Sequence, residues 1–398
     1  MATSLPTDVI YSNTLPLEAV TIYSKATEIE NRPHQAYENG AWLESKPEFA
    51  QENSKTVYWT TYRGFNPAVE PLSETEDKDS LGYTSFQVHF DMDTYGTSIQ
   101  WSRNASEFHY TLPELETKIR TVLGPNMAET QDVLCRNAMI DGLTSEGRVT
   151  YLSGSGLPDI PETAYLSTLL VEELGEALLE DNNMGEGEVI ALGQRRAFLG
   201  ITKDDQWYDV KKYANPQDII RGEEGSWHNV RFVRAPMGVL RNLGAVVADT
   251  ELTAACSRGA AYITVDDTTG FEAGQLVTIG TPGGADEDAE EFRIATVNAM
   301  NGRLTVADKG GLRYDHAEDD AVTEALDLYP IIFMVSGIKP FGKGVVVPPY
   351  IGLTPGHDKM QRIQTLFWFG IFGYGVIRPW AAWCVWVAAP KYELLNRV

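Results

Sequence analysis

Cysteine is scarce in this 398-residue chain: Cys135, Cys256 and Cys384 are odd in number, far apart and in no metal-ligand spacing. Such a set argues against a disulfide framework and suits buried thiols in a reducing cytoplasm. Positive charge is also short. With 32 Lys and Arg against 56 Asp and Glu, the formal charge is -24, which repels phosphate backbones and argues against nucleic-acid binding through a broad basic surface. The first 17 residues lack a basic start followed by an apolar run, so no secretory signal is expected. Six dispersed histidines, His34, His89, His109, His228, His316 and His357, have no ligand or triad partner at a diagnostic spacing. There is no Gly-x-Ser-x-Gly elbow and no interpretable pair of carboxylates. No catalytic, cofactor-binding or metal-binding residue is assigned from the sequence, and enzyme activity is not expected.

What is present is ordinary globular composition, 43% hydrophobic and 22% charged, in a chain long enough for two or three domains. Residues 1–55 are rich in Pro, Asn and Glu, carry Tyr11, Tyr23, Tyr37 and Trp42, and show no sustained periodicity. They read as an arm whose aromatics pack against later domains or a neighbouring subunit. Two β-rich runs, Thr56 to Tyr62 and Ser85 to Asp91, flank the acidic tract 70–79 and predict a long β-hairpin with a mobile tip. Thr111, Pro113 and Glu114 provide helix-start signals. Leu115, Ile119, Val122 and Leu123, then Val133, Leu134, Met139 and Ile140, predict one face of a long helix interrupted at Gly124-Pro125. A second amphipathic helix is predicted over 164–179, and a strand over 189–192 after Gly185-Glu186-Gly187.

Composition changes near Leu252. Short strands are predicted at 261–265, 275–279, 292–297 and 303–306, separated by Gly270, Gly274, Gly283-Gly284 and Asn301-Gly302. That pattern describes a small β-barrel or sandwich, followed by a strand at Leu328 to Val335.

Four stretches imitate functional sites. Gly337-Ile338-Lys339-Pro340-Phe341-Gly342-Lys343 resembles a phosphate-binding loop, but Gly344 stands where a hydroxyl belongs and Val345-Val346-Val347-Pro348-Pro349 cannot start a helix. Asp91-Met92-Asp93-Thr94-Tyr95-Gly96 opens like a calcium loop, yet Ser102 occupies the twelfth position, so a strand is expected. The acidic group Asp286-Glu287-Asp288 with Glu290-Glu291 reads as a solvated hairpin loop. Residues 366–389 are long and apolar enough to span a bilayer. Arg378-Pro379 interrupts them, and the alternation around Trp383, Val385 and Val387 favours a buried strand over a membrane anchor.

One block carries a resemblance. Asp205-Gln206-Trp207-Tyr208-Asp209-Val210, Tyr213, the turn Gly222-Glu223-Glu224-Gly225 and the strand Asn229-Val230-Arg231-Phe232-Val233-Arg234 are similar to a block of short-tailed double-stranded DNA phage major capsid proteins. Asn229 and Arg234 replace the usual Gly and Glu of that strand. Pro71-Leu72-Ser73-Glu74, Tyr95-Gly96-Thr97 and Trp101-Ser102 resemble further blocks in the same order, and 366–389 resembles the terminal region without its usual Lys.

The resemblance implies an α+β, HK97-type capsid fold. Its parts would be an N-terminal arm (1–55), an extended β-loop region (56–110), a spine helix with peripheral domain (111–150), a first part of the axial domain (151–250) and a return through axial and peripheral domains (326–398). The all-β segment 251–325 would be an inserted domain. The implied function is a structural virion protein that self-assembles into pentamers and hexamers of an icosahedral head. That head would enclose double-stranded DNA without sequence-specific binding or a membrane, would be assembled in the host cytoplasm, and would take scaffolding, portal and cement or decoration proteins as partners. Related shells that crosslink use a Lys and an Asn. Lys55, Lys78 and Asn104 are available, but no spacing selects them, so no crosslink is expected. The alternatives from other classes are a phosphate-loop ATPase using Lys343 and a membrane-anchored surface protein using 366–389.

Overall fold

The structure is a computed structural model that describes residues 9–10, 36–38, 42–46, 55–62, 85–102, 115–182, 187–202, 226–235, 243–280, 289–307, 310–354 and 363–389. Several predicted features lie outside these residues: Thr111, Pro113 and Glu114, the tract 70–79, Gly185-Glu186, the block 205–225, Gly283-Gly284 and Asp286-Glu287-Asp288. So does most of the arm.

The chain is α+β. In order come β1 (Val9–Ile10), β2 (Leu43–Lys46), β3 (Thr56–Tyr62), β4 (Ser85–Asp91), β5 (Asp93–Ser102) and helix α1 (Leu115–Ser145). Next are β6 (Val149–Tyr151), helix α2 (Thr168–Asp181), β7 (Val189–Gly193), β8 (Ser226–Trp227) and β9 (Val230–Arg234). Then follow β10 (Val246–Glu251), β11 (Tyr262–Thr264), β12 (Leu276–Ile279), β13 (Glu290–Asn298), β14 (Arg303–Val306) and β15 (Ala321–Ala325). The chain closes with β16 (Leu328–Val335), β17 (Phe341–Thr354), β18 (Ile363–Val376) and β19 (Ala382–Ala388).

These elements form two compact units, the first from 1–30, 43–127 and 341–377, the second from 31–42, 128–340 and 378–398. The first unit is built on a five-stranded sheet, β1-β5-β18-β17-β2. Its centre is antiparallel, and β1 and β2 add in parallel at the two edges. A separate two-stranded ladder pairs β3 with β4 from Thr56↔Asp91 to Tyr62↔Ser85. These are the bounds predicted for the two runs. Ile119 and Leu123 of α1 are buried, and Trp368 Nε1 donates to Asn126 Oδ1 at 2.9 Å.

Helix α1 runs unbroken through Gly124-Pro125, contrary to the predicted interruption. A proline costs one intrahelical hydrogen bond, and its ring clashes with the Cβ of a helical residue before it. Gly124 has no Cβ, which removes part of that penalty. The buried face also differs from prediction: Val122 is exposed, Val133 and Leu134 are half-buried, and Gln131, Asp132, Cys135 and Arg136 are buried with Met139, Ile140 and Leu143.

The second unit holds the mixed sheet β6-β19-β16-β7-β9-β8. Every residue of β16 is buried, as expected for a central strand covered on both faces. Its core joins Val189, Ala191, Val230, Phe232, Ile331, Phe333, Val385 and Val387 to Val171 and Leu178 of α2. Ser167 caps α2 by accepting from Leu170 N at 3.4 Å.

The same unit contains the predicted all-β segment as the sheet β10-β15-β12-β13-β14-β11. An antiparallel bridge between Leu252 and Val265 links the chain just after β10 to the chain just after β11, closing the sheet into a small barrel. Ile263, Val277, Ile279, Phe292, Ile294, Leu304 and Val322 fill it. The all-β segment begins at Val246, several residues before the predicted change, because β10 pairs with β15 along Val246↔Ala325 to Glu251↔Ala321.

Candidate assembly surface

A prominent local arrangement in the first unit is the seat of the β3–β4 ladder. Antiparallel pairing places Gly342 opposite Gly375 and Gly344 opposite Gly373 on β17 and β18. Two cross-strand glycine pairs leave a bare patch of sheet, and the inward side chains of the ladder lie on it. A Cβ on Gly344 would stand 2.6 Å from Val57 Cγ2 and 3.0 Å from Met92 Sδ. One on Gly342 would be 3.1 Å from Trp59 Cη2, and one on Gly375 would run into the Phe90 ring. Val57, Trp59, Met92 and Ile377 form a buried cluster there, with the Trp59 and Phe90 rings stacked at 5.1 Å. The outer face of the ladder carries Tyr58 against His89 at 5.7 Å, with Tyr58 and Phe86 both substantially exposed.

Glycines 342 and 344 belong to the stretch that imitates a phosphate loop. Phe341–Thr354 form β17 rather than a helix, and Val345-Val346-Val347-Pro348-Pro349 are part of that strand. The Lys343 ammonium lies over the rings of Phe372 and Tyr374, 5.9 and 5.6 Å from their centroids. No helix N-terminus stands there to receive phosphate. The calcium-loop mimic is strand as well, divided between β4 and β5. Lys55 Nζ meets Asp93 Oδ1 at 2.9 Å in an exposed pair of little energetic weight, while Lys78 and Asn104 lie outside the described residues.

The apolar run 366–389 belongs to two strands in two different sheets, β18 and β19, separated by a short turn at Pro379–Ala381. Among the described residues no helix is long and apolar enough to cross a membrane. Arg378, which interrupts the run, donates from Nη1 to Lys339 O at 2.6 Å.

The acidic group needs a correction. Glu290 is buried at the start of β13 rather than in a solvated loop. Its Oε2 accepts from Arg313 N at 2.8 Å, and its Oε1 lies 2.9 Å from His316 Nε2. His316 Nδ1 is 3.6 Å from Asp320 Oδ2. The carboxylate therefore ties β13 to the 313–316 turn, and a buried acid of this kind is held by its donors. The described histidines do not converge: His89 lies on the β3–β4 ladder, His228 beside Glu172 at 3.7 Å, and His316 in the barrel.

Missed in the sequence was the attachment of the arm. Asp132 on α1 accepts on Oδ1 from the backbone amides of Ala36, Tyr37 and Glu38, at 2.8, 2.7 and 3.0 Å. Tyr37 and Trp42 are buried, and Trp42 Nε1 donates to Tyr37 O at 2.6 Å. Burial pushes the Tyr37 hydroxyl well above the usual phenol range. The only signal available beforehand was an acid one helical step from apolar positions, which is normally a solvated residue.

A sheet with parallel strands added at both edges, a long helix, a two-stranded ladder and a second sheet carrying its own helix fit an HK97-like capsid fold. No protein-family model and no curated protein sequence matches the chain. Among solved structures it is similar to a chain of the cyanophage Pam1 capsid asymmetric unit, at 10% identity and a TM-score of 0.57, covering 98% of this chain and 100% of that one. A chain of the cyanophage P-SCSP1u capsid matches at 11% identity and a TM-score of 0.55, with the same coverage. A chain of the Ralstonia phage GP4 capsid matches at 9% identity and a TM-score of 0.52, covering 94% of this chain and 96% of that one.

Proposed function

We propose that this chain is the major capsid protein of a tailed double-stranded DNA phage, a structural virion protein without turnover. The observation that carries the proposal is the end-to-end correspondence with a chain of the cyanophage Pam1 capsid, 98% of one chain against 100% of the other. Copies would assemble as pentamers and hexamers of an icosahedral head, with scaffolding, portal and cement proteins as further partners.

Shape and repetition are the mechanism. Tyr58 and Phe86 on the ladder and Tyr350 and Leu353 on β17 are large apolar side chains left exposed in the single chain, and burying such groups between copies drives association. Each contact is weak, and multivalency in a closed lattice makes the sum strong. The charge of -24 gives a wall that does not trap DNA. The barrel is an inserted domain on the outer shell or at a capsomer contact in this proposal, and the shell is not covalently crosslinked.

Electron microscopy of the purified chain tests the assembly: shells, tubes or capsomers support it. A chain that stays monomeric under all assembly conditions and is absent from virions by mass spectrometry overturns it. Deleting the barrel and imaging the particles tests its placement, which collapse of the remaining fold would refute. A ladder of high-mass species on denaturing gels would refute the absence of crosslinks.

A further inference from the structure

The attachment of residues 36–38 to α1 is electrostatically lopsided. Asp132 is completely buried. Three amide donors converge on Oδ1, whereas Oδ2 is buried without a hydrogen-bond partner. An ionised carboxylate spreads its charge over both oxygens, so one half is well solvated by the protein and the other has lost its water for nothing. A proton on Oδ2 lowers that cost from that of a buried charge to that of a buried neutral hydroxyl and leaves Oδ1 still able to accept from the amides.

We propose that Asp132 and the amides of residues 36–38 form a proton-controlled latch, closed most firmly when Oδ2 carries a proton and loosened when it does not. The groups around it set the direction. Arg136, one turn along α1 and itself buried, attracts the charged form, as do the amides of Ala36, Tyr37 and Glu38. Burial outweighs them and pushes the Asp132 carboxyl above the ordinary carboxylate range. Tyr37, from the arm, and Cys384, from β19, are both neutral because burial raises the phenol and pushes the thiol up to about 12. Cys135 Sγ lies 3.7 Å from Tyr37 O, and Asp141 acts on Arg136.

A released Asp132 in water titrates at the ordinary carboxylate value, so the docked state binds the proton more tightly than the released one. The stabilisation is complete below that ordinary value and is lost as pH rises through the raised one. Acid closes the latch. Rising pH loosens it.

Hydrogen–deuterium exchange on the full chain between pH 4 and 8, corrected for intrinsic rates, reads this directly. Protection of the amides of Ala36, Tyr37 and Glu38 is expected to fall with rising pH, by at most about tenfold per pH unit for a single linked proton. Amides of β16 are expected to stay flat and serve as the reference. In Asp132→Asn, whose uncharged amide keeps an oxygen for the three donors, protection is expected to be independent of pH. A flat wild-type profile overturns the latch, as does the same slope in wild type and Asp132→Asn. Should the variant fail to fold, infrared difference spectra of the native chain decide. A carboxylic-acid stretch that vanishes over the same pH interval as the protection supports the latch, and its absence overturns it.

Discussion

Replacing Gly373 by Ala tests whether the paired glycines are a seat for the β3–β4 ladder or only weak points in two strands. The new methyl group would enter the space of the Asp91 carbonyl oxygen and stand 3.1 Å from Met92 Cα and 3.2 Å from Asp91 C. All three are backbone atoms, so no rotamer change relieves the contact. Overpacking of this kind costs about 1–3 kcal/mol, and the stiffer unfolded chain returns about 0.4–1 kcal/mol. The net effect is a loss of about 1–2 kcal/mol, which corresponds to roughly 5–30-fold faster exchange through local opening. Hydrogen–deuterium exchange of the β3 and β4 amides measures it, with β16 as the internal reference. Gly156→Ala is the opposite case. Its Cβ would meet only Pro158 Cδ, at 3.8 Å, and its extended φ of -162° suits any residue, so it is expected to leave local protection unchanged or raise it slightly. Exchange in β3–β4 that is unchanged or slower in Gly373→Ala would refute the close-approach argument.

Three further outcomes follow from two buried sites and one helix cap. Glu290→Ala removes the acceptor shared by the Arg313 amide and His316 and is expected to cost about 1–3 kcal/mol, because buried polar groups are left without a partner. Limited proteolysis within the barrel should then accelerate, and an unchanged digest would count against the network. Cys384, fully buried with its thiol pushed up to about 12, should resist a thiol reagent until denaturant is added, and rapid labelling of native protein would contradict its placement. Ser167→Ala should weaken α2 by about 0.5–1 kcal/mol, the low end for a lost cap given the 3.4 Å bond, whereas Ser167→Asp should preserve it. Exchange at the first turn of α2 checks both.

Local pattern was enough where an element's neighbours matter little. The bounds of β3, β4, β14 and β16 follow from β-branched and aromatic runs between turn residues, whereas the central place of β16 in its sheet, with Pro330 inside it, was not legible. It was insufficient where adjacent residues offset one another or where distant residues decide. Gly124-Pro125 looks like a helix breaker, yet the same glycine makes the proline tolerable. The glycines of β17 and β18 lower strand propensity one at a time, and their use emerges only when pairing sets them opposite one another beneath Trp59 and Phe90. Glu290 and Asp132 look like surface acids because their donors come from turns 23 and about 95 residues away in sequence. Buried polar groups whose partners are non-local leave almost no trace in hydrophobic periodicity.

The two ends of the barrel segment meet side by side. Val246 faces Ala325 across the ladder, Gly244 N donates to Leu326 O at 2.9 Å, and Leu326 N donates to Ala245 O at 3.0 Å. The 80 residues of 246–325 thus begin and end at one hydrogen-bonded stalk, so the rest of the second unit meets them much as it would meet a hairpin turn. Because closure entropy rises only slowly with the length enclosed, that stalk is a natural socket for genetic grafting. A foreign module whose own termini lie a strand-width apart can be exchanged for the barrel, with the first stalk contact at Gly244 and Leu326 left to hold the junction.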